Sequence, residues 1–289
     1  MKTVRTAHWM IFILLLATII LYPLLGAWSL PVMLLGGQIA VLLLPVIVYL
    51  WRSGERVTDR LGLRPCRLSD CVIGLGLMVL LQPFLIIYVA WLAKALGNPL
   101  QETVAQVMQY PLWFGFMGLA LIPAVVEELV FRGFLLGSYR ELRPIVRIVL
   151  CGILFGMFHM NLYQFSYAVI IGICLSLVTE RAGSVLPAIL MHSFNNGFDL
   201  SSTYFGKLPF FSWIQSVSGF LTSPGIGMWE GFLIAAASLA ITLFLTLRWY
   251  RGKAPESEPR MLWFGDSPFG ATLFLFIALA IVLPLSNQG

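Results

Sequence analysis

The sequence predicts an all-α, polytopic transmembrane bundle of about eight or nine spans. Of the 289 residues, 59% are hydrophobic and only 11% are charged, whereas a soluble domain carries about 25% charged residues. Several apolar runs reach the roughly 20 residues that a helix needs to cross a bilayer. Most basic residues lie between those runs. We therefore expect a single membrane domain over residues 1–289, embedded in a lipid bilayer.

Nine apolar segments are predicted to span the membrane. The first, 9–29, is longer than the roughly 7–15 apolar residues of a signal peptide, so we interpret it as an uncleaved span. The others are predicted at 31–51, 71–94, 112–137, 145–161, 164–180, 184–200, 228–249 and 267–286.

Two connections between these spans have distinctive compositions. A tight polar link at Asn161 joins two short spans. The connection from Ser201 to Met228 is rich in aromatic residues, which favour the membrane interface. We expect it to lie at the interface, to re-enter the membrane or to form an ordinary loop.

The basic residues support an alternating topology. The N-terminus and the loops after even-numbered spans contain all but three of the 18 lysines and arginines, and the exceptions are Lys94, Lys207 and Arg132. Because basic loops stay in the cytoplasm, the N-terminus is predicted to be cytoplasmic. The expected location is a bacterial cytoplasmic membrane. Since the net charge of +5 comes from these loops, it does not indicate nucleic-acid binding.

The fourth predicted span contains ionisable residues in an otherwise apolar segment. These are Glu127, Glu128 and Arg132. Charges at membrane depth are costly and generally mark function. Glu128 and Arg132 lie four residues apart, so they share a helix face and are expected to pair. Glu127 lies about 100° round the helix and can face a cavity.

Two further spans add histidines at a similar depth. Measured from the cytoplasmic helix ends, Glu127, His159 and His192 lie at about 20, 18 and 16 Å respectively. This shared depth predicts one site in a cavity between the central helices. Asn196 shares a helix face with His192, and Asp199, three residues further, is expected to orient that face.

Other uses of these side chains were considered. Taken alone, His159, Asn195 or Asn196 is explained as well by hydrogen bonding between membrane helices. Two adjacent carboxylates suit that role poorly, because burial and mutual repulsion oppose the ionisation of both. A transporter also uses intramembrane charges, but the sequence shows no convincing internal repeat of the kind expected of a carrier.

Three motifs occur in order along the chain: Glu127-Glu128-x-x-x-Arg132, Phe155-x-x-x-His159 and His192-x-x-x-Asn196. Together they resemble the signature of the CAAX protease and bacteriocin-processing (CPBP, or Abi) family of intramembrane endopeptidases. This family includes the type II CAAX prenyl protease. The resemblance covers residues 110–200, which we expect to be the catalytic core of the membrane domain.

The resemblance implies a role for each residue. Glu127 would be the general base that activates water, assisted by His159. His192 and Asn196 would hold the oxyanion of the tetrahedral intermediate. The substrate would be a membrane-associated protein or peptide.

By the same resemblance, Glu128 would be secondary or structural, with Arg132 fixing the glutamate pair. A zinc-dependent intramembrane metalloprotease is the main alternative, because two histidines and a glutamate bind zinc in some hydrolases. However, the sequence has no HExxH motif, and its four cysteines lack zinc spacing. We therefore expect no metal and no other cofactor. A non-proteolytic transporter or immunity factor remains a further alternative.

Overall fold

A computed structural model describes residues 2–251 and 267–282, which are helical and contain no β-strand. In chain order the first helices are α1 Lys2–Gly26, α2 Val32–Arg52, α3 Val57–Arg60, α4 Leu68–Leu96, α5 Gln101–Val107 and α6 Leu112–Ser138. The others are α7 Pro144–Met157, α8 Leu162–Ala182, α9 Leu186–Tyr204, α10 Pro209–Leu221, α11 Ile226–Tyr250 and α12 Ser267–Ile277, which continues as a π-helix over Ala278–Val282. The predicted all-α bundle is confirmed.

Within the described residues, six helices are long and apolar enough to cross a membrane: α1, α2, α4, α6, α8 and α11. The shorter apolar helices α7 and α12 and the more polar α9 correspond to the other predicted spans. The segment after Ser201 is not an ordinary loop, because it contains α10, which packs against α11 and α4. The predicted cytoplasmic loop between the spans 228–249 and 267–286 lies outside the described residues from residue 252 onward.

Helix α6 lies at the centre of the bundle and contacts α2, α7, α8 and α9. Residues 128–136 of this helix are all buried. One cluster of buried apolar side chains joins α6 to α1, α2 and α7, and a second joins α4 to α8, α9 and α11. The charged residues Glu128 and Arg132 are thus packed within the interior of an integral membrane protein.

The winding of α6 is irregular near its charged residues. The helix is π-helical over Phe116–Leu121 and again over Leu129–Leu135. Between these stretches lies Pro123, which has no N–H to donate to the Leu119 carbonyl in α-helical register. Single π-helical turns occur frequently at functional sites. Here the local geometry leaves the Leu119 carbonyl available to a side chain of another helix.

Glycines allow α7 and α8 to pack closely. A Cβ added at Gly152 would lie 2.7 Å from Cγ1 of Ile173, and Gly156 is similarly tight against α8. A Cβ at Gly172 would lie 3.0 Å from the Gly152 Cα. Small residues permit this approach between membrane helices. Their positions also bring the α8 backbone within reach of α6.

A proline interrupts α4, and α11 supplies the missing hydrogen bonds. Next to Pro83, the Ser238 hydroxyl donates to the Leu80 carbonyl at 2.6 Å and accepts from the Phe84 N–H at 3.2 Å. Breaks in membrane helices are tolerated where neighbouring side chains satisfy the freed backbone groups. Gln82, immediately before the proline, is buried and reaches toward α9.

Candidate active site

Glu128 is the centre of a buried polar cluster. Its Oε1 accepts hydrogen bonds from Arg132 Nη1 and from His192 Nδ1, both at 2.9 Å. An ionised carboxylate can only accept, so Nδ1 is the donor on the histidine. Arg132 Nη2 also donates to the Gly172 carbonyl at 3.0 Å. The predicted pairing of Glu128 with Arg132 is therefore present, and it connects α6 to α8 and α9.

Glu127 has very different surroundings. Its side chain is 15% exposed, and its Oε2 lies 4.0 Å from His192 Nε2. In the part of the chain that the structure describes, no group forms a hydrogen bond with this carboxylate. The two nitrogens of His192 thus face the two carboxylates, one each. An accessible carboxylate beside an imidazole is a suitable arrangement for activating water.

Phe155 brings the two histidines and the arginine around one ring. Its ring centroid lies 5.1 Å from that of His159 and 5.7 Å from that of His192, both edge-on. The guanidinium carbon of Arg132 lies 4.3 Å from the same centroid, within cation–π distance. The Phe155 carbonyl also bonds to Nδ1 of His159 at 3.0 Å. This leaves Nε2 of His159 for a water or a substrate.

A tight turn after α7 positions His159. Met160 has a φ of 53°, which is uncommon for a residue other than glycine. Asn161 closes the turn, since its Nδ2 donates to the His159 carbonyl at 2.7 Å and its Oδ1 accepts from the Gln164 N–H at 2.8 Å. The predicted polar link is thus the N-cap of α8. The His159 ring lies within electrostatic range of the Glu127 carboxylate.

A chain of amide groups positions Asn196. Gln82 Nε2 donates to Asn195 Oδ1 at 3.2 Å, and Asn195 Nδ2 donates to Asn196 Oδ1 at 3.3 Å. Asn196 Nδ2 in turn donates to the Leu119 carbonyl at 3.4 Å. The chain therefore joins α4, α9 and α6. The Asn195 bond fixes which end of the Asn196 amide is the oxygen. Nδ2 of Asn196 has two hydrogens, and the Leu119 carbonyl takes one, so the second remains for another acceptor.

The predicted site residues all lie around α6, α7 and α9: Glu127, Glu128, Arg132, His159, His192 and Asn196. Gln82 was not predicted, and its one sequence signal is an amide in an otherwise apolar span. Asp199 was expected to orient the face of His192, but it forms no hydrogen bond with that residue and instead lines a cavity between α9, α4, α8 and α10. Over residues 2–251 and 267–282, no three His, Cys, Asp or Glu side chains are placed to hold a metal ion.

The family model for type II CAAX prenyl endopeptidase Rce1-like proteins matches residues 109–198. Over this segment the chain is similar to the CAAX protease family. The segment contains the three motifs and runs from before α6 into α9, so the resemblance inferred from the motifs is confirmed. No curated protein and no solved structure matches the chain. This similarity supports an intramembrane endopeptidase of the CAAX type.

Proposed function

We propose that the protein is an intramembrane endopeptidase in which Glu127 activates the attacking water, assisted by His159. The observation that carries this proposal is the contrast between the two adjacent glutamates. Glu128 is fully buried and bonded to Arg132 and His192, whereas the Glu127 carboxylate is accessible, accepts no hydrogen bond from the described residues and lies 4.0 Å from His192 Nε2. A general base needs such access to the proton that it removes.

These positions support the following reaction. Water held between Glu127 and His159 transfers a proton to Glu127 while its oxygen attacks the carbonyl carbon of the scissile peptide bond. The resulting oxyanion accepts hydrogen bonds from Asn196 Nδ2 and His192 Nε2, which stabilise the developing charge. Glu127 then returns the proton to the leaving nitrogen as the C–N bond breaks. The products are a new carboxylic acid and a new amine.

In the proposed reaction His192 donates from both ring nitrogens, and this fits the balance of charges in the cluster. Donation to Glu128 and to the oxyanion together requires an imidazolium. Its charge, with that of Arg132, offsets the two glutamates, and a buried set of charges is tolerated when it is paired. When Glu127 takes the proton from water, the oxyanion replaces the lost negative charge. The cluster therefore keeps the same net charge through the first step.

The proposal is tested with the purified protein in lipid vesicles. The substrates are a fluorescent peptide that ends in a prenylated CAAX sequence and the same peptide without the prenyl group. We expect cleavage by the unaltered protein and a loss of at least about 10²-fold in Glu127→Gln, which removes the base. Glu102→Gln is the matched control, because this glutamate is exposed on α5. Retained cleavage by Glu127→Gln would contradict the assigned base.

A further inference from the structure

Helix α9 lines a cavity of about 380 Å³ that also involves α4, α8 and α10. Most of the lining is apolar. Its ionisable side chains are Asp199 from α9, Lys94 from α4 and Tyr167 from α8. The reaction proposed above uses none of these three residues.

The Asp199 carboxylate has no partner in this cavity. Among the described residues, none forms a hydrogen bond or an ion pair with it, and Asp199 is exposed where it lines the cavity. Lys94 does not neutralise it, because its Nζ donates to the carbonyl and to Oγ1 of Thr222, both at 2.7 Å. An exposed carboxylate without a partner can accept charge-assisted hydrogen bonds from a cation that enters the cavity.

The walls beside Asp199 also suit a cation with a long apolar stem. Tyr167 and Phe198 line the same cavity. Tyr163 contacts Tyr167 edge-on, with ring centroids 5.9 Å apart, and both tyrosines lie within electrostatic range of the carboxylate. Aromatic faces attract ammonium and guanidinium groups. Apolar walls accommodate the methylene stem that precedes such a group in lysine and arginine.

The cavity begins next to the reaction centre. Asn195 lines it and also donates to Asn196. His192, Asn195 and Asp199 follow one another along one stripe of α9. The rise from His192 to Asp199 is about 10 Å, which is the length of about three residues of extended peptide.

We propose that this cavity is a substrate subsite in which Asp199 binds the side chain of a lysine or arginine about three residues from the scissile bond. The inference rests on the proposed peptidase function, because the occupant is part of the peptide that is cleaved. It adds a requirement on the substrate that the reacting groups do not impose.

The test uses peptide pairs that carry either lysine or norleucine at one position, scanned along both sides of the cleaved bond. We expect a higher kcat/KM for lysine at one scanned position. Asp199→Asn should lower kcat/KM for that lysine peptide about 10- to 100-fold, as expected from the loss of one charged hydrogen bond. Its kcat/KM for the norleucine peptide should not change, which also shows that the variant is folded.

Two further variants sharpen the test. Ser202→Ala alters the same stripe of α9 without removing a charge, and it should keep the lysine preference. Asp199→Lys should favour a glutamate peptide over the lysine peptide. Equal kcat/KM for lysine and norleucine at every position, or an equal loss for both in Asp199→Asn, would overturn the subsite.

Binding separates failure of the subsite from failure of the peptidase. Fluorescence anisotropy of the labelled peptides is measured with Glu127→Gln in vesicles. Preferential binding of the lysine peptide without cleavage by the unaltered protein would support the subsite and reject the peptidase. Cleavage without a lysine preference would reject the subsite and leave the peptidase standing.

Discussion

The cluster around Glu128 and the open face around Glu127 differ sharply, although the two residues are adjacent in the chain. Glu128 is bonded to Arg132 and His192 and is fully buried. Glu127 is accessible, and its nearest ring nitrogen is 4.0 Å away. The difference arises from the rotation of about 100° per residue along a helix. The comparison shows that Glu128 connects α6 to α8 and α9 through Arg132 and His192, whereas Glu127 remains accessible for the proposed role as base.

The largest expected effect separates the two glutamates by activity. Glu127→Gln should lower kcat by about 10²–10⁴-fold, because it removes the general base. It should change the thermal unfolding temperature in detergent only slightly, because no described residue forms a hydrogen bond with this carboxylate and its contact with His192 is long, at 4.0 Å. Unfolding temperature and kcat are measured on the same preparation. A large drop in unfolding temperature would mean that Glu127 also has a structural role.

At the buried ion pair of Glu128 and Arg132, we expect a large effect on stability. Arg132→Met should destabilise the fold by about 3–5 kcal/mol, because Glu128 would lose the partner of its buried charge. Combining it with Glu128→Gln should restore part of this stability by removing the unpaired charge. Thermal unfolding of the single and double variants measures the coupling. Additive losses would show that the ion pair is not the unit of stabilisation.

A smaller effect is expected for Asn196 and His192, the proposed donors to the oxyanion. Asn196→Ala should lower kcat by about 10²–10³-fold with little change in KM, because the amide acts mainly in the transition state. The double variant with His192→Ala should lose less than the product of the single losses, since both donors serve one charge. A change confined to KM would instead place Asn196 in substrate binding.

A still smaller effect on kcat is expected for Gln82, which begins the chain of amide groups that leads to Asn196. Gln82→Leu should lower kcat roughly tenfold through Asn195, equivalent to losing about one hydrogen bond. In an Asn196→Ala background the same change should have no added effect, because the chain then has nothing to orient. A double-mutant cycle in kcat tests this dependence. An equal loss in both backgrounds would show that Gln82 only stabilises the packing of α4 against α9.

The smallest expected effect is that of a chelator. If the reaction uses glutamate-activated water without a metal, 1,10-phenanthroline should leave cleavage unchanged at concentrations that empty a zinc site. Loss of activity that added zinc restores would instead make His159 and His192 ligands. In that case a metal ion beside Glu127, rather than Glu127 itself, would activate the water.

The parts of the site that follow from helical periodicity were predictable. The pairing of Glu128 with Arg132 required only their spacing on one helix. The shared depth of His159 and His192 required only span boundaries and the helical rise. The all-α fold followed from the length and composition of the apolar runs.

Contacts between helices were not predictable in the same way. The reach of Gln82 to Asn195 depends on how α4 packs beside α9. The ring of Phe155 on α7 meets His192 on α9, beside Gly172 of α8, where an added Cβ would lie 3.1 Å from Cδ1 of Phe155. Asp199 was expected to support His192 because it lies on a nearby face, but the position of α10 creates a cavity on that side. Spacing within one helix does not determine these arrangements.

Three of the site's side chains are bonded to main-chain oxygens. Asn196 donates to the Leu119 carbonyl, His159 bonds to the Phe155 carbonyl, and Arg132 donates to the Gly172 carbonyl. A carbonyl is present whichever residue occupies the position. The residue that supplies the carbonyl can therefore be substituted without loss of the bond, provided that the helix backbone keeps its position. Sequence comparison would then detect the donors as a sparse motif and overlook half of each anchoring contact.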